Sequence, residues 1–130
     1  MAKRIDRACP AQPPLAGRAL LSPIQAGGLA TVFKVLANDT RLRLLHALAR
    51  GGEVAVSALA AMLGMKPQAV SNQLARLLDL GVVACRREGN GMLYRVIDPC
   101  VIGLLEQGWC LTETAAARST LASRCCAEEP

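Results

Sequence analysis

The chain has 130 residues, 52% of them apolar and only 2% aromatic, and a net charge of +5. That length suits one domain with tails, and the shortage of aromatic residues leaves a core of Leu, Val and Ala, as in a helical protein. No apolar run reaches the roughly 18 residues of a membrane span, and the N-terminus lacks an apolar stretch of signal-peptide type, so a cytosolic protein without membrane attachment is expected.

In chain order, residues 1–21 hold Pro10, Pro13 and Pro14 among Ala and Gly and read as a mobile arm with one thiol, Cys9. Ser22-Pro23 starts a helix, a cap followed by proline in the first turn, and the first helix is predicted from Ile24 to Leu36. Asn38 and Asp39 cap a second helix with Leu42, Leu45 and Leu48 on its apolar stripe, ended by Gly51-Gly52. Ser57 is the predicted cap of a short third helix that stops at Gly64. Pro67 opens a fourth, to Leu80 before Gly81, with Val70, Leu74, Leu77 and Leu78 inward.

Val82–Arg87 and Met92–Ile97 read as strands joined through Glu88-Gly89-Asn90-Gly91, with Asn-Gly the hairpin signal because both residues tolerate positive φ. Asp98-Pro99 opens a fifth helix, to Ala117, carrying Val101, Ile102, Leu104, Leu105, Trp109 and Leu111. A terminal helix this apolar on a small domain calls for a partner. Residues 118–130 read as a flexible tail with Cys125 and Cys126. The predicted fold is mainly α with a small β-hairpin wing (α+β), its working domain spanning 22–117.

Ala60, Gly64 and Val70 have the spacing of a helix-turn-helix. The small residue permits close approach, the glycine permits a left-handed turn, and the β-branched residue locks the second helix to the core. An ordinary helical hairpin would share these features, but not the basic hairpin that follows, so a winged helix-turn-helix is expected. Gln68, Ser71, Asn72 and Gln73 are the candidates for groove contacts, because amides pair with adenine edges. Lys66 and Arg76 suit phosphates. Arg86, Arg87 and Arg95 on the wing suit the backbone or minor groove. Charge agrees: residues 1–22 carry four basic and one acidic residue (+3), 23–97 nine and four (+5), and 98–130 two and five (−3). A solvated surface would also account for the charge taken alone.

The segments FKVLANDTRLRLLHALA, LAAMLGMKPQAVSNQLARLLDLGVV and REGNGMLYRVID resemble the ArsR/SmtB family of bacterial metal-sensing repressors, over roughly residues 29–114. The resemblance implies a winged-helix homodimer that binds palindromic double-stranded operator DNA when metal-free and releases it on binding metal. One family site uses a Cys-Val-Cys pattern near the third helix; here that stretch reads Val54-Ala55-Val56-Ser57, without a thiol. A second uses Asp-x-His, a spacer, then His-x2-Glu on the last helix. This chain offers Asp98-Pro99-Cys100, nine residues, then Cys110 and Glu113: both His positions are Cys, and the spacer is one residue shorter. Thiolates in place of imidazoles move preference toward softer ions, Hg(II), As(III) or Cd(II).

Six cysteines in a cytosolic chain suit metal ligands or redox sensors better than a disulfide framework. Cys100 and Cys110 are separated by about 15 Å of helix rise, whereas sulfurs on one ion lie within about 5 Å, so a shared ion needs Cys100 of one protomer beside Cys110 of the other. Buried interface thiols are the plainer alternative. Cys125, Cys126 and Cys9 are candidate further donors, while Cys85 and His46 read as structural. The expected protein is a repressor released by a thiophilic ion. A thiol redox or persulfide switch of the same fold, and a metal-sequestering carrier, are the alternatives. An enzyme is not expected, since no base stands beside any thiol.

Overall fold

A computed structural model describes residues 14–128, with side chains to Ser119. Five helices and three strands follow one another: α1 (Pro23–Leu36), α2 (Asp39–Gly51), β1 (Glu53–Ala55), α3 (Val56–Leu63), α4 (Pro67–Leu80), β2 (Val83–Glu88), β3 (Gly91–Val96) and α5 (Pro99–Glu128). The described part of the arm holds a short 3-10 turn, Leu15–Gly17, with no buried residue.

Local chemistry fixes most helix starts. Ser22 and Gln25 form a reciprocal capping box with Pro23 in the first turn of α1, and the Asn38 side chain accepts from the Arg41 amide at the start of α2. Helix α3 ends on Gly64 in the left-handed conformation (φ +66°), and the Met65 amide reaches back 3.0 Å to the Ala60 carbonyl. Ala60 and Val70 are both buried, as helix-turn-helix packing requires. The core joins Leu36 of α1, Leu44, Leu45 and Leu48 of α2, Leu59 of α3, Val70, Leu74 and Leu77 of α4, the inner face of the sheet, and Val101 of α5.

Four expectations change. Leu44, not Leu42, completes the buried stripe of α2, while Leu42 remains exposed, because α4 and β3 approach from the Leu44 side. Leu78, as expected, faces the core, packed against it half-buried. Ser57 lies inside the first turn of α3 rather than capping it, because β1 feeds straight into that helix through Ala55. The wing is three-stranded, in the order β1-β3-β2, since Glu53–Ala55 pairs with the outer side of β3. Its turn is centred on Gly89-Asn90, between the paired residues Glu88 and Gly91, and only Gly89 takes positive φ (+59°), a II′-like arrangement in place of Asn90-Gly91.

Helix α5 also outruns its predicted end at Ala117: no Gly or Pro interrupts residues 109–128, and the backbone stays helical to Glu128 through the stretch read as a flexible tail. Among the described residues, no helix is long and apolar enough to cross a membrane.

Candidate nucleic-acid interface and thiol positions

The amphipathic pattern of α4 separates a packing side from a free side. Val70, Leu74 and Leu77 are fully enclosed. Lys66 at the N-cap, Gln68, Asn72 and Arg76 are exposed, and Ser71 and Gln73 are half-buried at the edge. Gln68 Nε2 donates to Asn72 Oδ1 at 3.1 Å, one helical turn on. The two amides thus stand side by side; Gln68 keeps one N–H and its carbonyl oxygen, and Asn72 keeps both N–H groups and one lone pair. The first turn of α4 contains no acidic residue, so its partial positive charge and Lys66 act together on anions.

Gln73 has a different setting from its neighbours. Its Oε1 accepts a 2.9 Å hydrogen bond from Nε of Arg41, whose Nη1 donates at 2.8 Å to the carbonyl of Val35 near the end of α1. The carbonyl expected at a base edge is therefore already engaged within the protein.

The wing arginines differ from one another. On the outer face of the sheet, Arg86 Nε donates to both carboxylate oxygens of Glu53 (3.0 and 2.9 Å), Nη2 bonds the same carboxylate, and a second contact reaches Glu88 at 3.2 Å. Arg95 Nη1 lies 3.9 Å from Glu53. The Glu53 carboxylate raises the pKa of the Arg86 guanidinium further. Arg87 lies opposite Met92 at the hairpin tip, exposed and outside these pairs. On the inner face, Cys85 sits half-buried opposite Tyr94, whose phenol is pushed up by burial and further by Cys85.

The other thiols lie on α5. Cys100, in its first turn, is exposed, and its amide donates to Asp98 Oδ1 at 2.8 Å. Cys110 is exposed, with Sγ 4.0 Å from the Thr114 hydroxyl, which itself donates to the Cys110 carbonyl. Among the described residues, one protomer gathers no group of three or more His, Cys, Asp or Glu fit to hold a metal. Cys9 and the side chains of Cys125 and Cys126 lie outside the described residues. His46 is exposed on α2, beside an open cleft lined by Arg43, Arg50 and Met62. Large apolar side chains remain uncovered on α1 (Ile24, Leu29, Phe33) and on α5 (Trp109, Leu111).

Two residues with evident roles were not singled out from sequence. Arg41 carried a signal: a cation in the first turn of a helix sits at the unfavourable end of that helix's dipole, so its charge must serve something else. Glu53 carried little, being one acid between a Gly pair and a short apolar run.

A helix-turn-helix domain family matches residues 36–86. A probable mercury resistance operon repressor of Streptomyces lividans is 34% identical over 122 residues, spanning 84% of this chain and 94% of that protein. Among solved structures, the AntR antimony-specific transcriptional repressor is 55% identical, with a TM-score of 0.71, covering 85% of this chain and 99% of that one. The homodimeric winged helix-turn-helix DNA-binding domain Mb0332 of Mycobacterium bovis, a possible ArsR-family regulator, is 33% identical with a TM-score of 0.66, covering 80% and 95% respectively.

Proposed function

Since this chain belongs to the ArsR/SmtB family of winged helix-turn-helix, metal-sensing transcriptional repressors, we propose that it is a homodimeric operator-binding repressor whose grip is released by a soft thiophilic ion held between protomers. It is a regulator and not an enzyme.

In this reading α4 enters the major groove. Gln68 and Asn72 read base edges, with Ser71 at their flank, and Lys66 and Arg76 meet phosphate. Arg87 is the wing cation free for the backbone, whereas Arg86 and Arg95 reach DNA only by giving up Glu53. Gln73 acts from the protein side. A second copy covers the apolar faces of α1 and α5, as the homodimeric relative supports.

The observation that carries the effector reading is the pair of exposed thiols on α5, Cys100 and Cys110. They are about 15 Å apart along one helix and so are unable to meet on one ion, yet two such helices running antiparallel bring Cys100 of each chain to Cys110 of the other. Thiolates select soft ions. The similar probable mercury resistance operon repressor and antimony-specific repressor support that class, and Hg(II), Sb(III), As(III) and Cd(II) are the ions to compare. Cys9, Cys125 and Cys126 are proposed as further donors. Ion binding then changes how the two halves meet and misplaces the two α4 helices relative to successive major grooves, spaced about 34 Å apart.

Crosswise complementation tests the sharing. Neither C100S nor C110S alone forms the site, but mixed dimers keep one intact pair, so a 1:1 mixture regains about a quarter of the native thiolate-to-metal absorption. Operator release by the ion follows the same pattern. No recovery on mixing refutes a site shared between protomers.

A further inference from the structure

Arg41 joins three helices at one guanidinium. It belongs to the first turn of α2, it donates from Nη1 to the Val35 carbonyl at the end of α1 (2.8 Å), and it donates from Nε to Gln73 of α4 (2.9 Å). Each bond has a physical reason. The last carbonyls of a helix have no partner within it, and that end attracts cations, so α1 supplies the favourable environment that the start of α2 denies. Gln73 offers the acceptor on α4. The planar guanidinium holds both directions at once, which the point charge of a lysine does not do.

These helices link the two regions the proposed function needs. Helix α1 carries the uncovered Ile24, Leu29 and Phe33, α2 packs on α5, and α4 is the reading helix. The buried side chains of α4 are the apolar Val70, Leu74 and Leu77, with Leu78 and Leu80 packed against the core beside them, and apolar contacts are non-directional. A hydrogen-bonded guanidinium instead fixes distance and angle together.

We infer that Arg41 is a positioning residue that couples the dimer-facing helices to the DNA-reading helix, with Gln73 as its receiver rather than a reader of bases. A shift of α1 and α5 on ion binding pulls the Val35 carbonyl, and the guanidinium carries that shift to the middle of α4. The inference rests on the proposed ion-released repression and adds the residue through which release is transmitted.

The test uses the full chain and an operator duplex selected from randomised DNA by the ion-free protein. Operator affinity is measured without ion and with saturating Hg(II) or Sb(III), and ion binding is followed separately by thiolate-to-metal absorption. Couplings of this kind usually change affinity about 5–150-fold. R41K, which keeps the charge, and Q73A, which leaves the cap on α1 intact, are both expected to bind ion as the native chain does. Their ion-induced loss of operator affinity should nevertheless fall below about threefold. The double variant should lose no more than either single, because both act on one bridge. If Gln73 reads bases instead, Q73A lowers both affinities equally and leaves their ratio intact, which overturns the inference. A native ratio in R41K and Q73A overturns it also, with ion release itself still standing. A native protein that binds ion and operator with no effect of one on the other overturns the release mechanism and this link together.

Discussion

In the proposed reading, Glu53 governs how much of the wing's positive charge is free to meet DNA. Its carboxylate holds Arg86 through two nitrogens and lies 3.9 Å from Arg95, while Glu88 takes a second edge of Arg86 at 3.2 Å. Three arginines (86, 87, 95) and two glutamates (53, 88) leave each wing at 3 − 2 = +1. E53Q preserves the side-chain shape, raises that to +2, and releases Arg86 from its principal partner. The Arg86 side chain is already 50% exposed, so it needs no repacking to turn outward. Each phosphate neutralised adds about 0.9 to the slope of log affinity against log salt. One new contact per protomer therefore steepens the slope by about 1.8 for a dimer with two wings, and the variant's advantage grows about 3.5-fold for each halving of salt. Fluorescence anisotropy across a salt series measures this, on operator and random duplex alike. The contact is with the backbone, so both DNAs should gain equally and discrimination between them should not change. Exposed ion pairs contribute little to folding, so the melting transition should hardly move. An unchanged slope on both duplexes would refute the assignment of Glu53 as a restraint on the wing.

Other expectations concern the fold that presents these groups. Leu74 is fully buried in α4, and Leu74→Ala should cost about 2–5 kcal/mol in chemical unfolding; a loss well below that range would mean α4 is not anchored there. Gly64 has φ +66° with open space where a Cβ would stand, so Gly64→Ala should cost about 1–2 kcal/mol from backbone strain alone, with Asn better tolerated than Ala at this position. Burial, and then Cys85, raise the Tyr94 phenol above its ordinary value of 10.0. The fold thus favours the neutral phenol, and that stabilisation is complete below the unfolded value and lost as pH rises through the folded one. Urea midpoints should fall less steeply above about pH 10 in Y94F than in the native chain; identical profiles would sink this account.

What could be read from sequence follows how local its cause is. Ser22-Pro23, Asn38, Gly64 and Gly81 act within a few residues, and the helices begin or end beside them. The positions of Ala60, Gly64 and Val70 depend only on the turn they share, and they were legible for the same reason. The third strand was not, because Glu53–Ala55 has no periodic pattern and becomes a strand only when β3 is beside it. The phase of α2 was also hidden: Leu42 and Leu44 both neighbour Leu45 on the helix, and which one is buried depends on where α4 and β3 lie. In the candidate interface, the exposed positions of Lys66, Gln68, Asn72 and Arg76 follow from helical spacing. The engagement of Gln73 and Arg86 by partners 32 and 33 residues away does not, since no local pattern announces a bond made through tertiary structure.

Helix α5 links assembly to sensing in the proposed mechanism. Its thirty residues extend about 45 Å, and among the described side chains the anchoring lies in its first turns, through buried Val101 and half-buried Ile102, Leu104 and Leu105. From Glu106 to Ser119 nearly every side chain is exposed, including Trp109 and Leu111. An isolated helical stretch of that kind is marginal in water, so a second copy stabilises both the helix and the domain. Cys100 lies on the anchored turns and Cys110 on the projecting part. An ion shared between Cys100 and the opposite chain's Cys110 would therefore fasten the fixed end of one α5 to the free length of the other. Apolar packing alone leaves the angle between two such helices adjustable, whereas coordination through two short, directional sulfur bonds sets it. In this mechanism the dimer needs no separate moving part: the surface proposed to join the protomers would also carry the ligands that decide how they are joined.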